Sequence, residues 1–190
     1  MIVKVSTKTE LEEALKGKGD YVQIDYLSRL LETKAYHEAV KKLIYMKLAE
    51  LYEKKSLYLD AAKLLEGVAA TSTSSTDKMN FYLKAAEMYI KGSAFSRVDE
   101  ILKRSLSDTG SKERENLHLA IKNFYRMQGE IYEKTNRRNH AVKIYEKLLD
   151  IRMPEAEKQE IKEKLLKLYE NLGKLKEYFA MKGGKEVKRR

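Results

Sequence analysis

Few side chains in this sequence have the type and spacing that chemistry demands. Three histidines, His37, His118 and His140, stand far apart in 190 residues. An imidazole titrates near neutral pH and suits proton transfer or metal ligation, but only with a partner close by, and no HExxH pair supplies one. Each histidine reads as a residue of a helix flank or turn. There is no cysteine, which removes a disulfide framework, a thiolate zinc site and a cysteine nucleophile together. Neither a glycine loop to cradle phosphate nor a GxSxG elbow is present. Carboxylates abound, yet glutamate every three or four residues is ordinary on a solvated helix. The reading is a protein without catalytic residues, metal ligands or cofactors.

The remaining chemistry is charge. Lysine and arginine number 39 against 29 acidic residues, a formal net charge of +10. Clustered cations gain affinity for polyanions by releasing counterions, so a nucleic acid has to be weighed. Here acids are interleaved with bases and 36% of residues are charged, a pattern of solvated helices that is also frequent in heat-adapted proteins. Only KGGKEVKRR is locally lopsided, and it reads as a mobile basic tail over 181–190. The opening MIVKVSTKTELEEAL turns polar after five residues and lacks the apolar stretch of a signal peptide. No run approaches the roughly 20 apolar residues of a membrane span. A soluble, cytoplasmic protein is expected.

The elements that carry these residues are helices. One proline and nine glycines leave little to break them. Ile2, Val3 and Val5 suggest a short extended piece; Thr9 and Glu12 have capping-box spacing for a helix over 10–15 that stops at Gly17 or Gly19, so 1–19 reads as a divergent cap. Helical periodicity then predicts two antiparallel helices over 20–55, one over 57–69, one carrying Met79, Tyr82, Ala85, Ala86 and Tyr89, and one over 94–106. A long helix over 111–134 follows, with Leu117, Ile121, Phe124, Tyr125 and Ile131 as its apolar set. Asn136 starts a turn, Ala141, Ile144, Tyr145 and Leu148 mark the return helix, Pro154 opens another in its first turn, and Gly173 ends it before a short closing helix. About nine helices are expected, in one repeat domain over 20–180.

Four tyrosines stand in near-identical settings: Tyr52, Tyr89, Tyr132 and Tyr169. Three residues before them come Ala49, Ala86, Gly129 and Leu166; nine after them come Ala61, Val98, Ala141 and Tyr178. Small residues there let two helices approach near the short end of the usual 8–10 Å, with the tyrosine ring filling the space beside them. On these residues the chain resembles the tetratricopeptide repeat family. The spacings of 37, 43 and 37 exceed the regular 34, which makes longer-helix relatives such as SNAP-like adaptors equally similar. The resemblance implies an all-α fold, antiparallel hairpins stacked as a right-handed superhelix. Val98, Leu166 and Tyr178 depart from the small-residue pattern, and the fourth unit reads as either a full repeat or a closing helix. The tyrosines themselves read as packing residues.

In such a stack the first helix of each hairpin lines a concave groove. Offsets from the tyrosines place Leu43, Met46, Glu50, Glu53, Asn80, Leu83, Glu87, Ile90, Asn123, Arg126, Glu130 and Glu133 on that face, with Lys167 and Glu170 in the fourth unit. The floor is expected to be apolar near Leu43, Met46, Leu83 and Ile90, with carboxylates on the rim. That suits a peptide or amphipathic helix of another protein. Family members that hold a chaperone's acidic C-terminus use Lys, Arg and Asn at these positions; Glu50, Glu87 and Glu130 stand here, so no such clamp is expected. Second helices and their turns carry Arg97, Arg104, Arg137, Arg138 and Lys143, with Lys63, Lys103 and Lys147. These would serve the alternative, a nucleic acid held on a basic convex face and tail. Self-association through the apolar floor is a third reading. The leading expectation is a protein-binding scaffold or adaptor.

Overall fold

A computed structural model describes residues 6–32, 36, 38–106 and 111–183. The extended piece expected at Ile2, Val3 and Val5, most of the basic tail, and His37 lie outside them. The described residues form ten α-helices and no strand, the short cap helix and nine after it, as expected. The helices are α1 (Lys8–Leu15), α2 (Asp20–Glu32), α3 (Glu38–Lys54), α4 (Tyr58–Thr71), α5 (Ser75–Lys91), α6 (Phe95–Leu106), α7 (Ser111–Lys134), α8 (Arg138–Leu149), α9 (Glu155–Asn171) and α10 (Leu175–Met181). None of them is long and apolar enough to cross a membrane.

The chain divides into two compact units, Met1–Asp108 and Thr109–Arg190. In the first, α1 begins two residues earlier than the Thr9 capping box would place it. The Thr7 hydroxyl accepts from the Glu10 N–H at 3.2 Å, and the Glu10 carboxylate accepts from the Ser6 N–H at 2.7 Å. Leu11 and Leu15 of this helix join Leu27, Leu30, Val40, Ile44, Leu48 and Leu51 in one core, with Tyr52 packed against it. Asp20 opens α2 and binds Lys54 at 2.8 Å and Lys55 at 2.9 Å, tying the start of α2 to the end of α3. α4 packs on both α3 and α5, and buries Ala61, Ala62, Leu65, Val68 and Ala69. In the second unit α8 does the same between α7 and α9, with Ala141, Val142, Ile144, Tyr145 and Leu148. Pro154 stands at the N-cap of α9, one position before the first turn. Ile131 of the long helix is 47% exposed, so it is not part of the core.

The four tyrosines mark four identical chain reversals. The residue four positions after each, Ser56, Ser93, Asn136 and Gly173, has φ of 59°, 59°, 57° and 66°. The next N–H, of Leu57, Ala94, Arg137 and Lys174, donates back to the tyrosine carbonyl at 2.8, 2.9, 2.7 and 2.8 Å. This is a Schellman ending, in which one left-handed residue lets the chain satisfy the last carbonyls of a helix while turning away. The following helix starts one residue later in every case, at Tyr58, Phe95, Arg138 and Leu175. The fourth reversal is complete, but α10 has seven residues and buries none of them.

A longer period underlies the four. Tyr132 and Tyr169 stand 80 residues after Tyr52 and Tyr89, and α9 falls on α5 at both ends after the same shift. Contacts repeat with it. Lys42 pairs with Asp77 at 2.5 Å and Lys122 with Glu157 at 2.8 Å; Tyr89 donates to Glu66 at 2.9 Å and Tyr169 to Glu146 at 2.7 Å. The second unit is therefore a second rendering of α3–α6.

Candidate partner-binding face

In the first unit, α3 and α5 are the first helices of neighbouring hairpins, with α4 behind them. Between them lies an open cleft of about 130 Å³ lined by Met46, Ala49, Glu50, Glu53, Leu65, Lys84, Glu87 and Met88. Ala49, Leu65 and Met88 are buried and form its floor. The cleft is well below the roughly 300 Å³ at which sites for small organic ligands begin. A single side chain is what it has room for.

The rim is charged but partly satisfied. Lys91, with its side chain 22% exposed, reaches Glu53 at 2.6 Å and Glu87 at 2.8 Å. Burial pulls its pKa down, but the hydrogen bonds to Glu53 and Glu87 outweigh that and hold it above the ordinary lysine value. Glu50 remains 64% exposed, with Lys47 at 3.2 Å. The carboxylate rim expected from the sequence thus already contains a lysine of the chain itself. The Glu87 and Lys91 spacing of four residues on one helix was the available signal. Glu53 comes from another helix, and nothing local pointed to it.

Of the residues placed on this face by offset, Met46, Glu50, Glu53 and Glu87 come together around the cleft. Leu83 is half-buried and Asn80 exposed. Leu43 packs against the core of the first unit. Ile90 is 1% exposed and corrects the expectation of an offered apolar floor there: α5 packs on both α4 and α6, and the position after the tyrosine is covered. Ala49, Leu65, Lys84 and Met88 line the cleft without having been placed on this face by offset.

Asn123, Arg126, Glu130 and Glu133 belong to the second unit, where three of them are tied up internally. Lys122 and Arg126 converge on Glu157 at 2.8 and 3.2 Å, and the Lys122 hydrogen bond holds the Glu157 carboxyl below its usual pKa. Glu133 accepts a short hydrogen bond from the Tyr145 hydroxyl, and Glu130 lies 3.8 Å from Lys164. Asn123 is exposed.

The cations of the expected basic surface divide into two sets. Arg97 grips both oxygens of Glu66 at 3.1 and 2.8 Å, Arg104 binds the same carboxylate at 2.6 Å, and Tyr89 donates to it as well. Glu66 is only 12% exposed, so these arginines clamp α6 onto α4. Arg137, Arg138 and Lys143 are exposed. His118 and His140 are exposed too, the latter with its ring 5.3 Å from that of Tyr132.

Set against protein-family models, curated proteins and solved structures, the chain matches none. What speaks for a function is the arrangement itself: a side-chain-sized apolar cleft with fixed charges at its mouth, on helices stiffened from behind. Such a surface can seat one anchoring residue of another macromolecule and orient what flanks it.

Proposed function

We propose that this chain is a non-catalytic adaptor of tetratricopeptide-like hairpins that holds a peptide or amphipathic helix of another protein. The observation that carries this is the cleft between α3 and α5, apolar at its floor and rimmed by Glu50, Glu53, Lys84 and Glu87. A partner would lay an apolar anchor on Met46 and Ala49 and bring its own cation to Glu50, the most exposed of the three rim carboxylates. The paired helices, each pair joined through one residue of left-handed conformation at the same offset from its tyrosine, support the likeness to tetratricopeptide arrays.

The test is affinity capture from lysate at two salt concentrations, with and without nuclease. Under this reading one protein persists after nuclease and is lost from both Met46→Glu and Glu87→Lys variants. A second reading has support in Arg137, Arg138 and Lys143, which are exposed and form no ion pair among the described residues. Capture that collapses with nuclease or modest salt, and with neutralisation of those three cations, would assign the function to nucleic acid instead.

A further inference from the structure

Under the 80-residue shift, the open cleft of the first unit corresponds to a filled site in the second. Glu50, Glu53 and Lys84 recur unchanged as Glu130, Glu133 and Lys164, while Leu65 is replaced by Tyr145 and Ala49 by Gly129. In the second unit the Tyr145 ring is fully buried and lies so close to Gly129 that a Cβ there would stand 2.5 Å from it. Its hydroxyl donates to Glu133, and the Lys164 ammonium lies 5.6 Å from the ring centroid. Carboxylate, ammonium and small residue together make a holder for a phenol.

The first unit keeps Glu50, Glu53 and Lys84 without the ring, has Glu87 where the second unit has Lys167, and carries the Ala49 methyl where Gly129 leaves room, so a guest ring would lie outside that methyl. Its cleft of about 130 Å³ is close to the roughly 150 Å³ of an engineered apolar cavity that takes benzene. We propose that this cleft receives the side chain of a tyrosine presented by a partner protein. The ring rests on Ala49, Leu65 and Met88, Lys84 faces its π-cloud, and the hydroxyl donates to Glu53. Lys91 occupies one oxygen of Glu53, and a carboxylate has acceptor capacity for a second donor. Phenylalanine would fill the same space but leave that acceptor unanswered, so tyrosine should be favoured by roughly five- to tenfold.

The inference rests on the adaptor reading of this face, and its test can fail separately. The full chain, with its methionine methyl groups isotopically labelled, is titrated with p-cresol and with toluene. The expected result is saturable movement of the Met46 and Met88 signals, with Met127 and Met153 still. p-Cresol should bind roughly five- to tenfold more tightly than toluene, and that margin should vanish in Glu53→Ala. The double variant Ala49→Gly/Leu65→Tyr copies the second unit and should silence the cleft. The wild-type comparison of the two probes stands even if that variant does not fold. Unmoved Met46 and Met88 signals, or equal binding of toluene, overturn the proposal. A captured partner with a cleft indifferent to p-cresol would sink the tyrosine and keep the adaptor; the reverse pair of results would keep the pocket and sink the adaptor.

Discussion

Leu65 and Tyr145 hold the same place in two hairpins, and the exchange of one for the other separates an open cleft from a filled one. Gly129 is the condition of the exchange, because Tyr145 is 0% exposed and hemmed in, and its ring cannot retreat from an added methyl group. Gly129→Ala should therefore destabilise the protein by about 1–3 kcal/mol, read as a lower urea midpoint. Gly67 in α4 has nothing within 4 Å of where a Cβ would stand, and Gly67→Ala should stabilise by about 0.5–1 kcal/mol through helix propensity alone. An equal loss from both substitutions would mean that Tyr145 does not pack as described. At this scale the sequence was partly legible. Small residues three before the first three tyrosines were visible as close-approach sites, but the reason for glycine over alanine at one of them was a ring sixteen residues away on another helix.

Among the elements, the reversals between paired helices carry a strain that can be relieved. Ser56 and Ser93 adopt φ of 59°, a conformation that costs a residue with a Cβ roughly 1–2 kcal/mol. Ser56→Gly and Ser93→Gly should each stabilise by about 1 kcal/mol after the entropy cost of glycine is counted, and Gly173→Ala should destabilise by a similar amount. Thermal unfolding of the three single variants checks the signs; a loss from either serine change would show that its side chain, not its backbone, secures the turn. Gly173 and Asn136 were the reversals marked in the sequence, since glycine and, less often, asparagine take the left-handed position there. The serines were hidden because serine does not favour that conformation and adopts it here under the pull of the hydrogen bonds that close the helix. The helix spans themselves were readable to within a few residues, and the start of α1 was displaced because Thr7 and Thr9 are both competent caps.

Across the whole molecule, three buried tyrosines couple stability to alkaline pH. Tyr89, Tyr145 and Tyr169 are all held above the ordinary value of 10.0, by burial first and then by Glu66, Glu133 and Glu146 accepting from their hydroxyls, with Arg97 acting in the opposite direction on Tyr89. Above that pH the unfolded chain gives up protons that the folded chain keeps. Stability should then be constant just below about pH 10 as far as these groups are concerned, and fall as pH rises through it. Urea unfolding between about pH 8 and pH 11, followed by tyrosinate absorbance, should show Tyr145 and Tyr169 ionising only as the chain unfolds; their ionisation near pH 10 with the fold intact would contradict their burial. The sequence by itself determined that the chain is helical, where most helices begin and end, and that four tyrosines mark one recurring hairpin, because each of these depends on neighbours a few positions away. Even the 80-residue period lay in the tyrosine spacings. Tertiary structure alone decided which of the surface residues are available. Lys91 meets Glu53 across 38 residues, Arg97 meets Glu66 across 31, and Ile90 is sealed between helices. Such pairings depend on how one helix lies against another, and that geometry comes from packing the whole core rather than from local spacing.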